Sequence, residues 1–424
     1  MSVKQRLYPK PGQVAGLVMH AAHARFVWNI GLEQRNFWRP HHKGRRAPIT
    51  MASQMRELVE LRRAEEWLAA GSSSVQQAAL RDLHRAFVNW WKNPAHFRRP
   101  TWRKAGVHEG FYVRDLKVRQ CSRRTGQVHV PKVGWVKFRL TRPFAEVAAA
   151  TSARVTLRGG RWHVSFTTAP PRCFERKSTG AVVGIDRGVT NTLATSDGTL
   201  AHAPVPTAGE QRRFLALQQR LARQRKGSNR RAVTREKISR MQQRWADRRR
   251  DWVEQTTTTL VRDYDLIAIE NLNITGMVRR PRPKPDPNQP GAFLPNGARA
   301  KAALNRSIHA SVWGTFAQRL ADKAAQTPET HRATVIAVDP RNTSRQCPAC
   351  GHVAAENRDS QALFACQSCG HTAHADLNAA HNILARAITT LPEPGYAAGR
   401  AVNGRIRPTP VGRVNHPEPA RQAS

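Results

Sequence analysis

Four cysteines in two CxxC units, Cys347/Cys350 and Cys366/Cys369, constrain this chain more than any other feature. Fifteen residues separate the two pairs, and a glycine follows each. A CxxC turn aims two thiolates at one point, and two such turns on short hairpins supply the four soft ligands of a tetrahedral zinc. Two structural disulfides are the alternative. Nothing near the N-terminus reads as a secretory signal, however, and intracellular thiols stay reduced. His352 and His371 follow the CxxCG units, yet four thiolates already complete the shell, so Cys347, Cys350, Cys366 and Cys369 are the expected zinc ligands. Such a site keeps no open position; its zinc is structural, and the chemistry has to lie elsewhere.

Acids are scarce enough to be informative. The 424 residues hold 70 Lys and Arg against 29 Asp and Glu, a formal charge of +41 spread over most of the length. That excess calls for a polyanion, and nucleic acid is the expected partner. A membrane surface is the competing polyanion, but no apolar run approaches the ~18 residues of a spanning helix and there is no lipidation signal. Within this basic chain, three acids end apolar runs or begin an apolar helix: Asp186 in AVVGIDRGVTNTLATSDG, Glu270 in LIAIENLNITGM and Asp376 in HADLNAAHNILARAI. An acid at the end of a buried strand, followed by a hairpin, is how an RNase H-like sheet presents its first metal-binding carboxylate. Leu377, Ala380, Leu384, Ala387 and Ile388 recur at helical spacing after Asp376. Asp376 therefore starts a helix, either as a third ligand or as an N-cap and nothing more. Three carboxylates from separate elements of one sheet match a two-metal phosphodiester-cleaving centre, in which two magnesium ions ~3.5–4 Å apart clamp the scissile phosphate. Carboxylate oxygens are the hard ligands that magnesium prefers.

Taken in order, VKQRLYP reads as a short basic strand, and Val14, Leu17, Val18, Ala21, Ala24, Trp28 and Leu32 mark one face of a long helix. Helical regions follow over 51–70 and 74–92. The end of this region, NWWKNPAHFRRPTWRKAG, interleaves Trp90, Trp91, Phe97 and Trp102 with five bases. Such aromatics either stack on nucleotides or belong to the core. From Phe111 to Thr168 the period changes to two, which predicts antiparallel strands in a small barrel or sandwich that the opening strand joins. Cys121 and Cys173 read as ordinary thiols, and 169–180 as a Pro-rich linker. Residues 211–250 carry fifteen Lys and Arg against Glu236 and Asp247, on two helices joined at KGSNR. Six prolines in 278–300 predict a flexible basic loop able to act as a lid. Leu304, Ile308, Val312, Phe316 and Leu320 predict one further helix, and VIAVDP the last strand.

The motifs GIDRGVTNTLATSDG, IAIENLNITGM and CPACGH…CQSCGH…ADLNAAHNIL resemble the three RuvC-type motifs and inserted zinc ribbon of the TnpB (OrfB-type) family of insertion-sequence proteins. They also resemble the related compact type V CRISPR effectors. RLYP…ARFVWNIGL resembles the family's N-terminus, so the likeness covers about residues 3 to 390. The resemblance implies an α/β multidomain fold. A wedge-like β-barrel would comprise 1–10 and 106–175, with an inserted helical recognition domain at 11–105. A RuvC-like, RNase H-like nuclease domain would comprise 181–339 and 376–390, with a zinc-ribbon target-nucleic-acid-binding insert at 340–375. The tail 391–424, rich in Pro, Gly and Arg, reads as disordered. The implied activity is RNA-guided DNA cleavage. Asp186, Glu270 and Asp376 would be the catalytic and magnesium-binding acids, and the four cysteines would hold zinc.

The implied partners are a guide RNA, bound by one protein monomer, and double-stranded target DNA carrying a short flanking motif that the protein reads directly. The implied location is prokaryotic cytoplasm, with the nucleoid. Two positions depart from the family pattern: Arg187 stands where an apolar residue is common, and His381 where Arg is common. The alternatives are a CRISPR effector with the same chemistry, a cleavage-deficient RNA-guided repressor, and a transposase that joins DNA ends.

Overall fold

The computed structural model describes residues 2–37, 49–168, 176–289, 291–360 and 362–391. Cys173, most of the Pro-rich linker and the tail beyond Leu391 lie outside them. The chain divides into two compact units, one of Met1–Pro171 with Arg213–Gln243, the other of Arg172–Arg212 with Arg244–Ser424. Among the described residues no helix is long and apolar enough to cross a membrane.

In the first unit, seven strands form one antiparallel sheet. Its order is Gly110–Val113, Ser152–Arg158, Arg161–Thr167, Ser2–Tyr8, Gly134–Arg139, Thr125–Val130 and Val118–Ser122. The opening strand is central, with Val3 opposite Phe166 and Leu7 opposite Phe138. Alternation drives the packing: along Thr125–Val130 every second residue is buried. Helix Pro11–Phe37 and helix Ser73–Lys92 share one core with this sheet, joining Leu17, Ala21, Val27, Val75 and Leu80 to Phe111, Val128, Phe138 and Val164. The helical pattern misplaces two residues of the first helix. Leu17, Ala21, Ala24, Trp28 and Leu32 are buried as expected, but Val14 and Val18 are 36% and 48% exposed. The second helical region is broken at Glu65, whose extended backbone separates Met51–Ala64 from Glu66–Ala69. Trp91, Phe97 and Trp102 are exposed, so the core reading fails for them, while Trp90 is half-buried.

The second unit holds a five-stranded sheet in the order Leu200–Ala201, Leu193–Thr195, Val182–Asp186, Leu266–Glu270 and Thr334–Val338. The first three are antiparallel hairpin strands; the last three run parallel. All five residues of Leu266–Glu270 are buried, as expected for a central strand covered on both faces. Val183, Ile185, Ile267 and Ile269 face Val253, Leu260 and Val261 of helix Asn229–Asp263, with Phe316 and Leu320 of helix Trp313–Ala324. On the other face Ala268 and Val338 pack on Ile383 and Ala387 of helix Ala375–Thr390.

Four expectations change here. The single helix expected through Leu304 and Leu320 is two, Ala298–Ala310 and Trp313–Ala324, broken at Val312, whose φ is 52°. The basic loop carries a small hairpin, Lys284–Pro285 against Phe293–Leu294. The described end of the linker is pinned rather than loose: Asp265 pairs with the buried Arg176 and accepts from Ser178 and from the backbone N–H groups of Thr179 and Gly180, the last at 2.7 Å. The stripe of the last helix is rotated, with Ala379, Ala380, Ile383 and Ala387 buried and Ile388 exposed.

Candidate active site and zinc-binding knuckles

The four cysteine sulfurs all lie within 4.8 Å of one another. Cys347 and Cys369 are 3.6 Å apart, as are Cys350 and Cys366. A tetrahedron with zinc–sulfur bonds of ~2.3 Å has edges near ~3.8 Å, whereas a disulfide needs ~2.05 Å, so the four sulfurs are spaced as a group that could hold a metal ion such as zinc and not as disulfides. Each knuckle is built by its own backbone. The Cys347 N–H donates to the His352 carbonyl at 2.9 Å and the Cys366 N–H to the His371 carbonyl at 2.8 Å. The two histidines thus contribute main-chain acceptors and stand outside the ligand group. Each turn closes at a glycine with positive φ, Gly351 at 78° and Gly370 at 73°, a conformation that costs side-chain-bearing residues energy. Asn357, fully buried, ties the knuckles together: its amide donates to the Arg345 and His352 carbonyls, and its carbonyl accepts from the Gln367 N–H. Sequence reasoning passed over it, since a lone Asn in a loop carries no spacing signal.

The three expected acids all belong to the second unit. Asp186 and Glu270 end adjacent parallel strands, held in step by Ile185 opposite Ile269. Side chains alternate along a strand, so Asp186 shares a face with Gly184, and Glu270 with Ala268. That face is the one covered by helix Ala375–Thr390, in which Asp376 is the second residue. Gly184 makes the approach close: a Cβ there would sit 2.1 Å from the Ala380 carbonyl oxygen. One turn before Ala380, Asp376 thereby comes to the same strand ends. It is not the helix cap. His374 holds that position, its Nδ1 accepting from the Asp376 N–H at 3.3 Å.

Electrostatics register the convergence. Burial, and then the carboxylates of Glu270 and Asp376, push Asp186 up to about 7. Burial also raises Glu270, opposed by the Thr343 hydroxyl, Arg187 and Arg386. The Thr343 hydroxyl donates to Glu270 Oε1 at 2.8 Å, and the Asn191 amide to Asp376 Oδ2 at 2.8 Å. Arg358 stands 3.4 Å from Asp376 Oδ1. Among the described residues the three acids do not form a set as tight as the cysteines. Arg187, noted in the sequence only as a departure, is buried and donates to the carbonyls of Glu270 and Trp313. The Trp313 indole N–H returns to the Gly188 carbonyl at 3.1 Å. The site is thus a buried cluster of carboxylate oxygens at the C-terminal ends of two central strands, braced by Asn191, Thr343, Arg187 and Arg358.

Comparison with known proteins covers nearly the whole chain. Residues 165–280 match the family OrfB_IS605, described as "Probable transposase", residues 313–383 the "Cas12f1-like, TNB domain", and residues 1–44 the helix-turn-helix domain HTH_OrfB_IS605. The chain is 33% identical over 385 residues to "Putative RNA-guided DNA endonuclease InsQ" of Escherichia coli K12, covering 90% of this chain and 91% of that protein. It is 29% identical over 417 residues to a "Putative RNA-guided DNA endonuclease" of Streptomyces pristinaespiralis, covering 96% and 91%. A segment of 49 residues is 51% identical to "CRISPR-associated endodeoxyribonuclease Cas12f1" of Sulfoacidibacillus thermotolerans, covering 12% of each protein.

Proposed function

Because this chain belongs to the TnpB (OrfB-type) family, we propose that it is an RNA-guided DNA endonuclease whose catalytic acids are Asp186, Glu270 and Asp376. The observation that carries this reading is the meeting of those acids at the ends of central strands of the second unit's sheet, where burial and then the neighbouring carboxylates push Asp186 up to about 7. Strand order and direction support an RNase H-like (RuvC) domain, and the seven-stranded sheet of the first unit supports the wedge assignment.

The donor set fits magnesium: three carboxylates, all hard oxygen ligands, whose excess negative charge a divalent cation would relieve. When bound, magnesium supplies Lewis-acid stabilisation of the scissile phosphate and a more acidic attacking water. The chain's own groups prepare that site. Asn191 fixes one oxygen of Asp376 and Thr343 one oxygen of Glu270, so each carboxylate is oriented before any ligand arrives. Arg187 bridges the Glu270 carbonyl to the start of helix Trp313–Ala324 and steadies the strand ends. The knuckle cysteines hold a structural zinc, and their insert leads directly into the Asp376 helix.

The partners in this reading are a guide RNA, which selects the target by base pairing, and duplex DNA bearing a short flanking motif. A net charge of +41 suits a permanent RNA with one protein copy and a transient DNA. The test is purification from cells carrying the native downstream DNA, sequencing of bound RNA, and challenge of a plasmid library holding the matching target beside randomised flanks. Magnesium-dependent cleavage at a subset of flanks, abolished by Asp186→Ala, Glu270→Ala or Asp376→Ala, is expected. No discrete RNA, or cleavage that survives all three substitutions, would sink the proposal.

A further inference from the structure

The two valines left outside the first core are part of a built feature. Val14 and Val18, on consecutive turns of helix Pro11–Phe37, line a cleft of about 450 Å³ together with Tyr8, which ends the opening strand and is 41% exposed. Arg6, Arg161 and Glu236 are the charged residues of the lining, and all lie within the first unit. The Arg6 guanidinium lies 4.9 Å from the Tyr8 ring centroid. Glu236 is paired with Arg240 at 2.5 Å. The turn beside it is shaped for close approach: Gly160 has a φ of 68°, and a Cβ there would stand 2.2 Å from Glu236 Oε1. The volume falls in the range of roughly 300–1,000 Å³ usual for small-ligand pockets.

We propose that this cleft binds one unstacked guanine base of the RNA, an inference that rests on the reading of the chain as an RNA-guided nuclease. Tyr8, Val14 and Val18 offer an apolar wall for a ring face, and the guanidinium groups of Arg6 and Arg161 suit the attached phosphate. Glu236 selects the base. A carboxylate only accepts, and guanine presents two adjacent donors, N1–H and N2–H. Adenine and cytosine each place an acceptor beside their amino group, and uracil flanks its single N–H with carbonyls, so all three meet the carboxylate less well. Residues 211–250 hold only two acids among fifteen bases. Glu236 pairs with Arg240 through Oε1 only, which leaves its second carboxylate oxygen for the donor edge of a base. Bases splayed out of their stack are a feature of RNA loops and bulges, which favours RNA over duplex DNA.

The test uses the full chain freed of RNA and titrated with GMP, AMP, CMP and UMP, in the wild type, Tyr8→Ala and Glu236→Gln. Melting curves check that each variant folds. GMP is expected to bind tightest, Tyr8→Ala to weaken it by roughly tenfold, and Glu236→Gln to remove the preference for guanine. In the reconstituted complex, RNA carrying 6-thioguanosine should crosslink to Tyr8. Equal binding of the four nucleotides, or GMP binding that neither substitution alters, overturns the site even where guided cleavage proceeds. A chain that carries no RNA and makes no guided cut fails one step earlier, at the nuclease reading itself.

Discussion

Gly184→Ala tests whether helix packing places the third acid. Gly184 lies two residues before Asp186 on the same strand, and its missing side chain lets helix Ala375–Thr390 close onto the sheet. An added Cβ would stand 2.1 Å from the Ala380 carbonyl oxygen and 2.8 Å from both the Leu384 N and its Cβ. Carbon and oxygen approach in proteins to about 3.3–3.6 Å, so the helix has to retreat by roughly 1.2 Å. The nearest obstacle is backbone, and no rotamer change relieves it. Overpacking of this kind costs about 1–3 kcal/mol, or roughly 2–4 °C of melting temperature per kcal/mol for a unit of this size. Function should suffer more than stability. Asp376 rides on the displaced helix one turn before Ala380, and a misplacement of about 1 Å at a reacting centre costs on the order of 100-fold. Single-turnover cleavage of a matched target, at saturating complex and magnesium, should therefore fall about 100-fold while gel-shift affinity for RNA and target DNA is retained. Gly209→Ala, where an added Cβ meets nothing within 4 Å, is the control. Cleavage by Gly184→Ala within about twofold of wild type would refute the reasoning, as would RNA affinity lost in step with cleavage.

Two further outcomes follow from the metal sites. Cys366→Ser should reduce bound zinc from one per chain to none by elemental analysis, whereas Asp186→Ala should keep its zinc, since the two sites share no ligand. The second outcome concerns pH. Burial and the carboxylates of Glu270 and Asp376 push Asp186 up to about 7, against about 3.9 for an unperturbed aspartate, so between those values the native state binds more protons than the unfolded one. Stability without magnesium should accordingly fall as the pH rises from about 4 through 7, by an amount on the order of 4 kcal/mol if this group acted alone. Melting temperatures measured without magnesium across this range should show that slope in the wild type and a flatter one in Asp186→Asn. Because magnesium displaces the proton, its half-saturating concentration should climb about tenfold per pH unit below 7.

The parts of both sites that were legible in the sequence are those whose chemistry is written in residue type and spacing. Cys347, Cys350, Cys366 and Cys369 form two fixed-length turns, and the structure brings their sulfurs together. Asp186 and Glu270 end short apolar runs that the structure shows as strands. The groups that orient those acids were not legible. Asn191 reaches Asp376 across 185 residues of sequence, and Thr343 reaches Glu270 across 73. Each is a single polar residue in a loop, with neither periodicity nor partner spacing to mark it. The capping question at Asp376 was undecidable for a related reason: HAD offers two side chains able to cap, and only the backbone shows that His374 takes the position.

The break at Val312 shows a pattern misleading for a reason of geometry. Leu304, Ile308, Val312, Phe316 and Leu320 recur at intervals of four, which looks helical. Yet four residues turn an α-helix by about 400°, so each step drifts about 40° and five such residues sweep about 160° around the axis. One straight helix cannot bury them all against a flat sheet. The chain resets at Val312, where a β-branched residue adopts φ 52° at a cost of roughly 1–2 kcal/mol. What that strain secures lies next to the acids. Restarting the helix at Trp313 turns its carbonyl toward Arg187 and its indole N–H toward the Gly188 carbonyl, in the turn that immediately follows Asp186. Arg187 then spans from Trp313 to the Glu270 carbonyl, so one strained residue fixes the relation between the two strand ends that carry acids. Strain kept beside a site and offset by its surroundings is how precise placement is commonly maintained. It also gives the buried Arg187 a task that an apolar residue of the same volume could not perform, since such a residue could fill the space but could not satisfy two carbonyls.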